Sequence, residues 1–269
     1  MDRNSPIGIF DSGVGGLSLL RELNSIMPYE DFIYVGDTAR MPYGTRTEED
    51  IICFSEQIIA FLEKKKCKMI VIACNSVSGL LPEIARRGKH DIPVIGVINY
   101  GCVTAALYVT YNFRIGVLAT QRTVESKVYR RILDSFDPTV KLYPQVCTDL
   151  IPHIEAGRIG SPLVRKIAES YLRPMLAENI DTLILGCTHL PFIKMIIGDI
   201  IGPAVTIIDP ARRTAVLCMK TLEDNCLLRK NHAEPGTRKY FVSGKPSAFQ
   251  ETAKIILGAN IPKVEKVKL

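Results

Sequence analysis

Two short runs, M-I-V-I-A-C-N-S at 69–76 and T-L-I-L-G-C-T-H at 182–189, constrain this chain more than any other part of it. Each is an apolar, β-prone stretch that delivers a cysteine followed by two polar side chains. Continuous apolar runs of this length, bounded by polar or turn-prone residues, read as strands covered on both faces, the signature of a parallel sheet. Cys74 and Cys187 then stand at strand C-terminal ends. In open α/β sheets that edge is where ligands bind.

The rest of the chain supplies the alternation such a sheet requires. A first strand at 7–10 runs into D-S-G-V-G-G at 11–16 and a helix over about 17–27. Glycines allow close backbone approach, and a helix N-terminus offers free N–H groups to an anion. The loop is not a dinucleotide fingerprint, because Ser18 stands where G-x-G-x-x-G needs glycine, and no G-K-[ST] marks a P-loop. A small carboxylate suits it better. A second strand at 31–35 leads to the turn-rich G-D-T-A-R-M-P-Y-G at 36–44. Thr45 with Glu48 predicts a capping box opening a helix to about 65. After the Cys74 strand come a helix through Ala85 and a strand at 92–98.

From Phe113 the pattern starts again. R-I-G-V-L-A-T at 114–120 lies 108 positions beyond P-I-G-I-F-D-S at 6–12, and Cys187 lies 113 beyond Cys74. A-V-T-I-I-D-P at 204–210 lies 112 beyond I-P-V-I-G-V-I at 92–98. Three strands at nearly one offset indicate an internal repeat. The expectation is an α/β fold of two pseudo-symmetric, doubly wound parallel-sheet domains with the active site in the cleft between them. One domain is expected over 1–98 plus 212–269 and the other over 99–211, with helices beyond Arg212 covering the first unit and Lys239–Ser243 as an extra strand.

Composition narrows the function classes. At 269 residues and 47% hydrophobic content the chain can bury sizeable cores. No apolar run approaches a membrane span and the start lacks a signal-peptide segment, so a cytoplasmic protein without a membrane partner is expected. The net charge of +6 is a mild excess. Its densest cluster, E-K-K-K-C-K at 63–68, sits at a helix end without interleaved aromatics, which argues against nucleic acid. Eight cysteines contain no C-x-x-C pair, and His90, His153 and His232 lack metal-ligand spacing, so no metal is expected. Cys53, Cys67, Cys102, Cys147, Cys218 and Cys226 lie outside the repeated strand ends and are assigned to cores or surfaces.

A thiol titrates near pH 8.5, closer to neutrality than a hydroxyl, and so serves as a proton-transfer group. Two thiols facing one substrate divide the work: a thiolate removes a proton from one face of a carbon and a thiol returns one to the other. Duplicated units present equivalent residues to opposite sides of a shared ligand, and the outcome is inversion of a stereocentre.

In order and context, F-D-S-G-V-G-G, G-D-T-A-R-M-P-Y-G, A-C-N-S and G-C-T-H resemble the motifs of the bacterial glutamate racemases over essentially the whole chain. The resemblance implies cofactor-independent interconversion of L- and D-glutamate for peptidoglycan synthesis. It implies Cys74 as base toward D-glutamate assisted by Asp11, and Cys187 as base toward L-glutamate assisted by His189. Ser12, Tyr43, Gly44, Asn75, Ser76 and Thr188 match substrate-contacting positions, together with Asp11 and His189, and Glu155 matches one near the second cysteine. A homodimer is compatible with the resemblance. The chain departs from the family at Ser76-Val77, where C-N-T-A is usual, and at 97–101, V-I-N-Y-G, where a Glu-Pro-Gly type turn is common.

Other readings stand beside this one. On the residues alone Asp11 is also a helix cap or turn residue, His189 a cap, and Glu155 a solvated helix residue. The competing functions are racemisation of another acidic amino acid such as aspartate, a Cys187–His189 hydrolase, and a carboxylate-binding protein that kept the fold and lost the rate. A hydrolase leaves Cys74 and the duplication without a purpose. No lysine occupies either strand end, which disfavours pyridoxal chemistry.

Overall fold

A computed structural model describes residues 2–88, 90–230 and 233–269, without the side chains of Tyr100 and Cys102. His232 and the Cys102 side chain therefore lie outside the described residues.

The strands are β1 (Ile7–Asp11), β2 (Phe32–Gly36), β3 (Met69–Ile72), β4 (Val94–Gly96), β5 (Arg114–Ala119), β6 (Lys141–Val146), β7 (Thr182–Gly186), β8 (Thr206–Ile208), β9 (Arg238–Val242) and β10 (Val264–Lys266). The helices are α1 (Leu17–Ile26), α2 (Glu48–Lys64), α3 (Asn75–Ser78), α4 (Leu81–Arg87), α5 (Tyr100–Val109), α6 (Gln121–Glu125), α7 (Val128–Phe136), α8 (Leu150–Glu155), α9 (Pro162–Ala177), α10 (Lys194–Ile201), α11 (Pro210–Asp224) and α12 (Pro246–Leu257). One sheet has the order β10-β9-β2-β1-β3-β4 and the other β6-β5-β7-β8. Every strand pair is parallel. The apolar runs of β1, β2, β3 and β7 are buried throughout, as helices on both faces require.

The repeat is visible in the pairing. The order β2-β1-β3-β4 of the first sheet recurs as β6-β5-β7-β8 in the second. Ile70 pairs with Val94 in one and Leu183 with Ile207 in the other, an offset of 113 on both strands. α1 packs on α11 and α11 on α5, so the helices between the two sheets bury one apolar cluster that holds Ile7 and Val71 together with Ile115 and Ile184. Separate clusters fill the outer faces, around Ile58 and Ile70 in one domain and Leu172 and Leu183 in the other.

Several local expectations shift. Thr45 does not cap α2; it ends a 3-10 turn at Tyr43–Thr45, and Thr47 is the cap, its side chain accepting from Asp50 N at 3.1 Å. The turn is needed to bring Tyr43 and Gly44 inward, which moves the helix start to Glu48. The helix after Cys74 is broken at Gly79, with Pro82 opening α4. The strand expected at 92–98 shortens to Val94–Gly96, and that at 204–210 to Thr206–Ile208, where Asp209 is already the N-cap and Pro210 the first residue of α11. The extra strand is β9, beside β2. β6 carries Pro144 inside it, which is tolerated because β6 is an edge strand. No helix among the described residues is long and apolar enough to cross a membrane.

Candidate active site

The site is assembled from strand ends. Asp11 is the last residue of β1, Cys74 follows β3, Thr120 follows β5 and Cys187 follows β7. A single cavity of about 20 Å³ is lined by Ser12, Tyr43, Gly44, Cys74, Asn75 and Ser76 of the first unit and by Thr120, Cys187, Thr188 and His189 of the second. That space admits little more than one water molecule. The two units meet here through side chains: Ser76 Oγ lies 3.0 Å from Thr120 Oγ1, and Thr188 Oγ1 donates to Asp11 Oδ1 at 3.2 Å. Ser18, the residue that breaks the dinucleotide fingerprint, donates its hydroxyl to the Thr188 carbonyl at 3.1 Å.

The thiols have different neighbours. Cys74 is buried 3.9 Å from Ser12 Oγ, and burial followed by the negative charge of Asp11 pushes its thiol up to about 12. Asp11 is itself fully buried. Burial lifts its carboxyl above the ordinary carboxylate value, against the opposing pull of His189 and the Gly13 N–H, which donates to Asp11 Oδ2 at 3.0 Å. On the other side His189 Nδ1 lies 3.6 Å from Cys187 Sγ, and His189 Nε2 lies 2.6 Å from Glu155 Oε1. Burial alone would strip the imidazole of its proton, but its contacts with Cys187 and Glu155 outweigh that and raise its pKa well above the ordinary histidine value. Contacts of this kind favour the protonated imidazole beside one thiol, where the other thiol has a carboxyl group.

The turn at Tyr43–Thr45 is held from below. Asp37, wholly buried just after β2, accepts from the Tyr43 hydroxyl, from Arg40 Nε at 2.6 Å and from Ser243 Oγ at 2.6 Å. Gly44 abuts the second unit so closely that a Cβ there would come within 2.9 Å of Thr120. Asn75 Oδ1 is a buried acceptor with no hydrogen-bond partner among the described residues.

The geometry has recognisable relatives. The family model for Asp/Glu/hydantoin racemases matches residues 7–218. The glutamate racemase of Thermoanaerobacter sp. (strain X514) is 41% identical over 267 residues, 98% of this chain and 97% of that protein. The chain belongs to the glutamate racemase family. Among solved structures of that family, glutamate racemase isoform RacE1 from Bacillus anthracis superposes with a TM-score of 0.93 at 34% identity, covering 99% of this chain and 98% of its own. The glutamate racemase from Francisella tularensis, solved in complex with D-glutamate, has a TM-score of 0.89 at 35% identity, again covering 99% and 98%.

Asp11, Ser12, Tyr43, Gly44, Cys74, Asn75, Ser76, Glu155, Cys187, Thr188 and His189 all fall at or directly against this one cavity. Three further lining residues, Pro42, Thr120 and Ile151, escaped the sequence reading. Thr120 was within its reach, since it lies 108 positions beyond Ser12, the offset already established for its strand. Pro42 and Ile151 carry no chemical signature. The two departures from the family pattern differ in where they fall: Val77 adjoins the first thiol, sharing its apolar cluster and turning its backbone N–H toward Cys74, whereas the Asn99 side chain bonds elsewhere. Val77 is buried in the apolar cluster around β3, and Asn99 donates to the Gly96 carbonyl at 3.0 Å and to Thr214 Oγ1 at 3.1 Å.

Proposed function

We propose that this protein racemises glutamate without a cofactor, by proton transfer between two thiols, and so supplies D-glutamate for peptidoglycan synthesis. The observation that carries the reading is the pair of cysteines from equivalent strand ends lining one cavity, each in a different electrostatic setting. Toward L-glutamate, the Cys187 thiolate beside the His189 imidazolium takes the α-proton as the C–H bond breaks. The Cys74 thiol then returns its own proton to the opposite face of the carbanion. Cys187 is left as thiol and Cys74 as thiolate, ready for the reverse sequence. Asp11 assists Cys74, and Glu155 orients His189 and offsets its charge. Ser12, Tyr43, Gly44, Asn75, Ser76 and Thr188 bind the substrate, with the unpartnered Asn75 Oδ1 available to an ammonium donor. Positioned acids and bases contribute about 100- to 10,000-fold each, and the sealed, preorganised cavity supplies further stabilisation of the developing charge.

The expected setting is the cytoplasm. Self-association as a homodimer is supported by the exposed apolar group Tyr108, Val109, Tyr111 and Phe113 at the end of α5, and sedimentation velocity tests it.

Incubation of the protein with L-glutamate in D2O, without added cofactor, tests the reaction. Loss of optical activity with deuterium at the α-carbon of the D-enantiomer is expected. Silence with glutamate but turnover of aspartate would reassign the substrate. Silence with both, with glutamate still bound, would leave a carboxylate-binding protein on this scaffold.

A further inference from the structure

Tyr34 lies in the middle of β2, wholly buried and outside the cavity wall. Its hydroxyl donates to the Gly13 carbonyl at 2.7 Å. That carbonyl and the Val14 N–H belong to one peptide plane. The Val14 N–H donates at 3.0 Å to Glu155 Oε1, the oxygen that His189 Nε2 also meets, at 2.6 Å. His189 Nδ1 in turn lies 3.6 Å from Cys187 Sγ. A continuous polar chain therefore runs from the first sheet, across the domain boundary, to the second thiol.

We propose that Tyr34 is a positioning residue for the Glu155–His189–Cys187 relay, acting through the Gly13–Val14 peptide. The inference rests on the racemase reading above. Its physical basis lies at Gly13. A Cβ at that position would collide with Glu155 Oε1, so the carboxylate approaches the backbone at a point where only glycine fits. Glycine also resists peptide rotation least. The hydroxyl of Tyr34 supplies the restraint that the residue itself lacks. By bonding the carbonyl it polarises the same peptide and strengthens the Val14 N–H as a donor. Without it the peptide is free to turn, the buried carbonyl loses its partner, and Glu155 loses the one backbone donor reaching it from the first domain among the described residues.

The phenol is suited to the task. Its ring is wedged between Tyr240 and Phe249, with centroids at 6.2 and 5.8 Å. A Cβ at Gly16 would stand 2.8 Å from the hydroxyl, so the glycine loop closes directly over it. Burial, then the charges of Asp11, Glu155 and Cys74, hold the phenol well above its ordinary pKa, and it stays a donor through the working range. Tyr240, the other ionisable neighbour, offers no hydrogen bond to this chain of contacts.

The test is Tyr34→Phe in the full-length protein, which keeps the ring and removes only the hydroxyl. A buried acceptor left unpaired frees the Gly13–Val14 peptide that holds Glu155, and kcat should fall about tenfold with KM within about twofold. Tyr240→Phe, which alters the same ring stack, should leave kcat within about twofold. In a Glu155→Gln background, followed by the slow incorporation of α-deuterium, adding Tyr34→Phe should cost less than about threefold, because residues acting through one contact are not additive. An unchanged kcat in Tyr34→Phe would overturn the proposal. So would a full tenfold loss that persists without Glu155, or a loss of kcat matched by Tyr240→Phe. An inactive parent protein would overturn the racemase reading instead, so the two failures are distinct.

Discussion

At the scale of residues, the asymmetry around the thiols makes a definite demand. Cys74 holds its proton up to about 12, while Cys187 faces His189, which Glu155 buttresses and whose pKa those contacts raise. Each direction of racemisation consumes one acid and one base, so Cys74→Ala and Cys187→Ala should each lower turnover by about 1,000-fold or more. Enantiomers have equal free energies, so kcat/KM must fall by the same factor from L- and from D-glutamate whichever thiol is removed. Initial rates from each enantiomer check both statements, and near-normal turnover in either variant would contradict the two-thiol mechanism. The thiols and their polar followers were legible in the sequence because each directly ends an apolar run. Glu155 was only half legible: nothing local distinguishes it from a solvated helix carboxylate until the fold brings it 2.6 Å from His189. Tyr34 was not legible at all, because an aromatic residue inside a strand has packing as a sufficient explanation.

At the scale of elements, strands buried on both faces announced themselves and those on the margins did not. β1, β3 and β7 are buried throughout, whereas β6, at a sheet edge, has no fully buried residue and exposes Lys141 and Pro144. β10, with only Val264 buried, carries still less signal. The start of α2 shows how a site overrides a local rule. Thr45 with Glu48 satisfies the capping pattern, but Thr45 is drawn into the turn that presents Tyr43 and Gly44, and the role passes to Thr47. Thr47 both accepts from Asp50 N and donates to Asp50 Oδ2 at 2.7 Å. Thr47→Ala should therefore destabilise the protein by about 1 kcal/mol, and Thr45→Ala by less than about 0.5 kcal/mol. Urea midpoints for the two variants decide which threonine caps the helix.

At the scale of the molecule, the division we propose, 1–98 plus 212–269 against 99–211, is supported by sheet membership: β1–β4, β9 and β10 share one sheet and β5–β8 the other. A cavity of about 20 Å³ cannot admit glutamate, so the domains must part for entry. Free in solution the protein is therefore expected to be more open than this closed arrangement, and small-angle scattering should show compaction on adding D-glutamate; an unchanged radius of gyration would argue against hinge motion. Burying both a catalytic cleft and several structural thiols also shapes the response to pH. Burial pushes Cys67 and Cys218 up to about 12, as burial and Asp11 do for Cys74, from an ordinary value of about 8.5. Between those values the folded protein retains protons that the unfolded chain releases, so stability falls as pH rises. Each such thiol contributes about 1.4 kcal/mol per pH unit across that window. His189 acts in the same direction: its raised pKa stabilises the fold below the ordinary histidine value and the contribution is lost as pH climbs through the raised one. Urea unfolding at pH 8, 9.5 and 11 should give steeply falling midpoints above pH 9. Cys218→Ala removes one buried thiol, in α11 and remote from the cavity lining. It should lower stability at pH 8 by the loss of packing yet flatten the alkaline slope by about 1.4 kcal/mol per pH unit. A slope identical to that of the parent would show that the buried thiols are not what limits the fold in alkali.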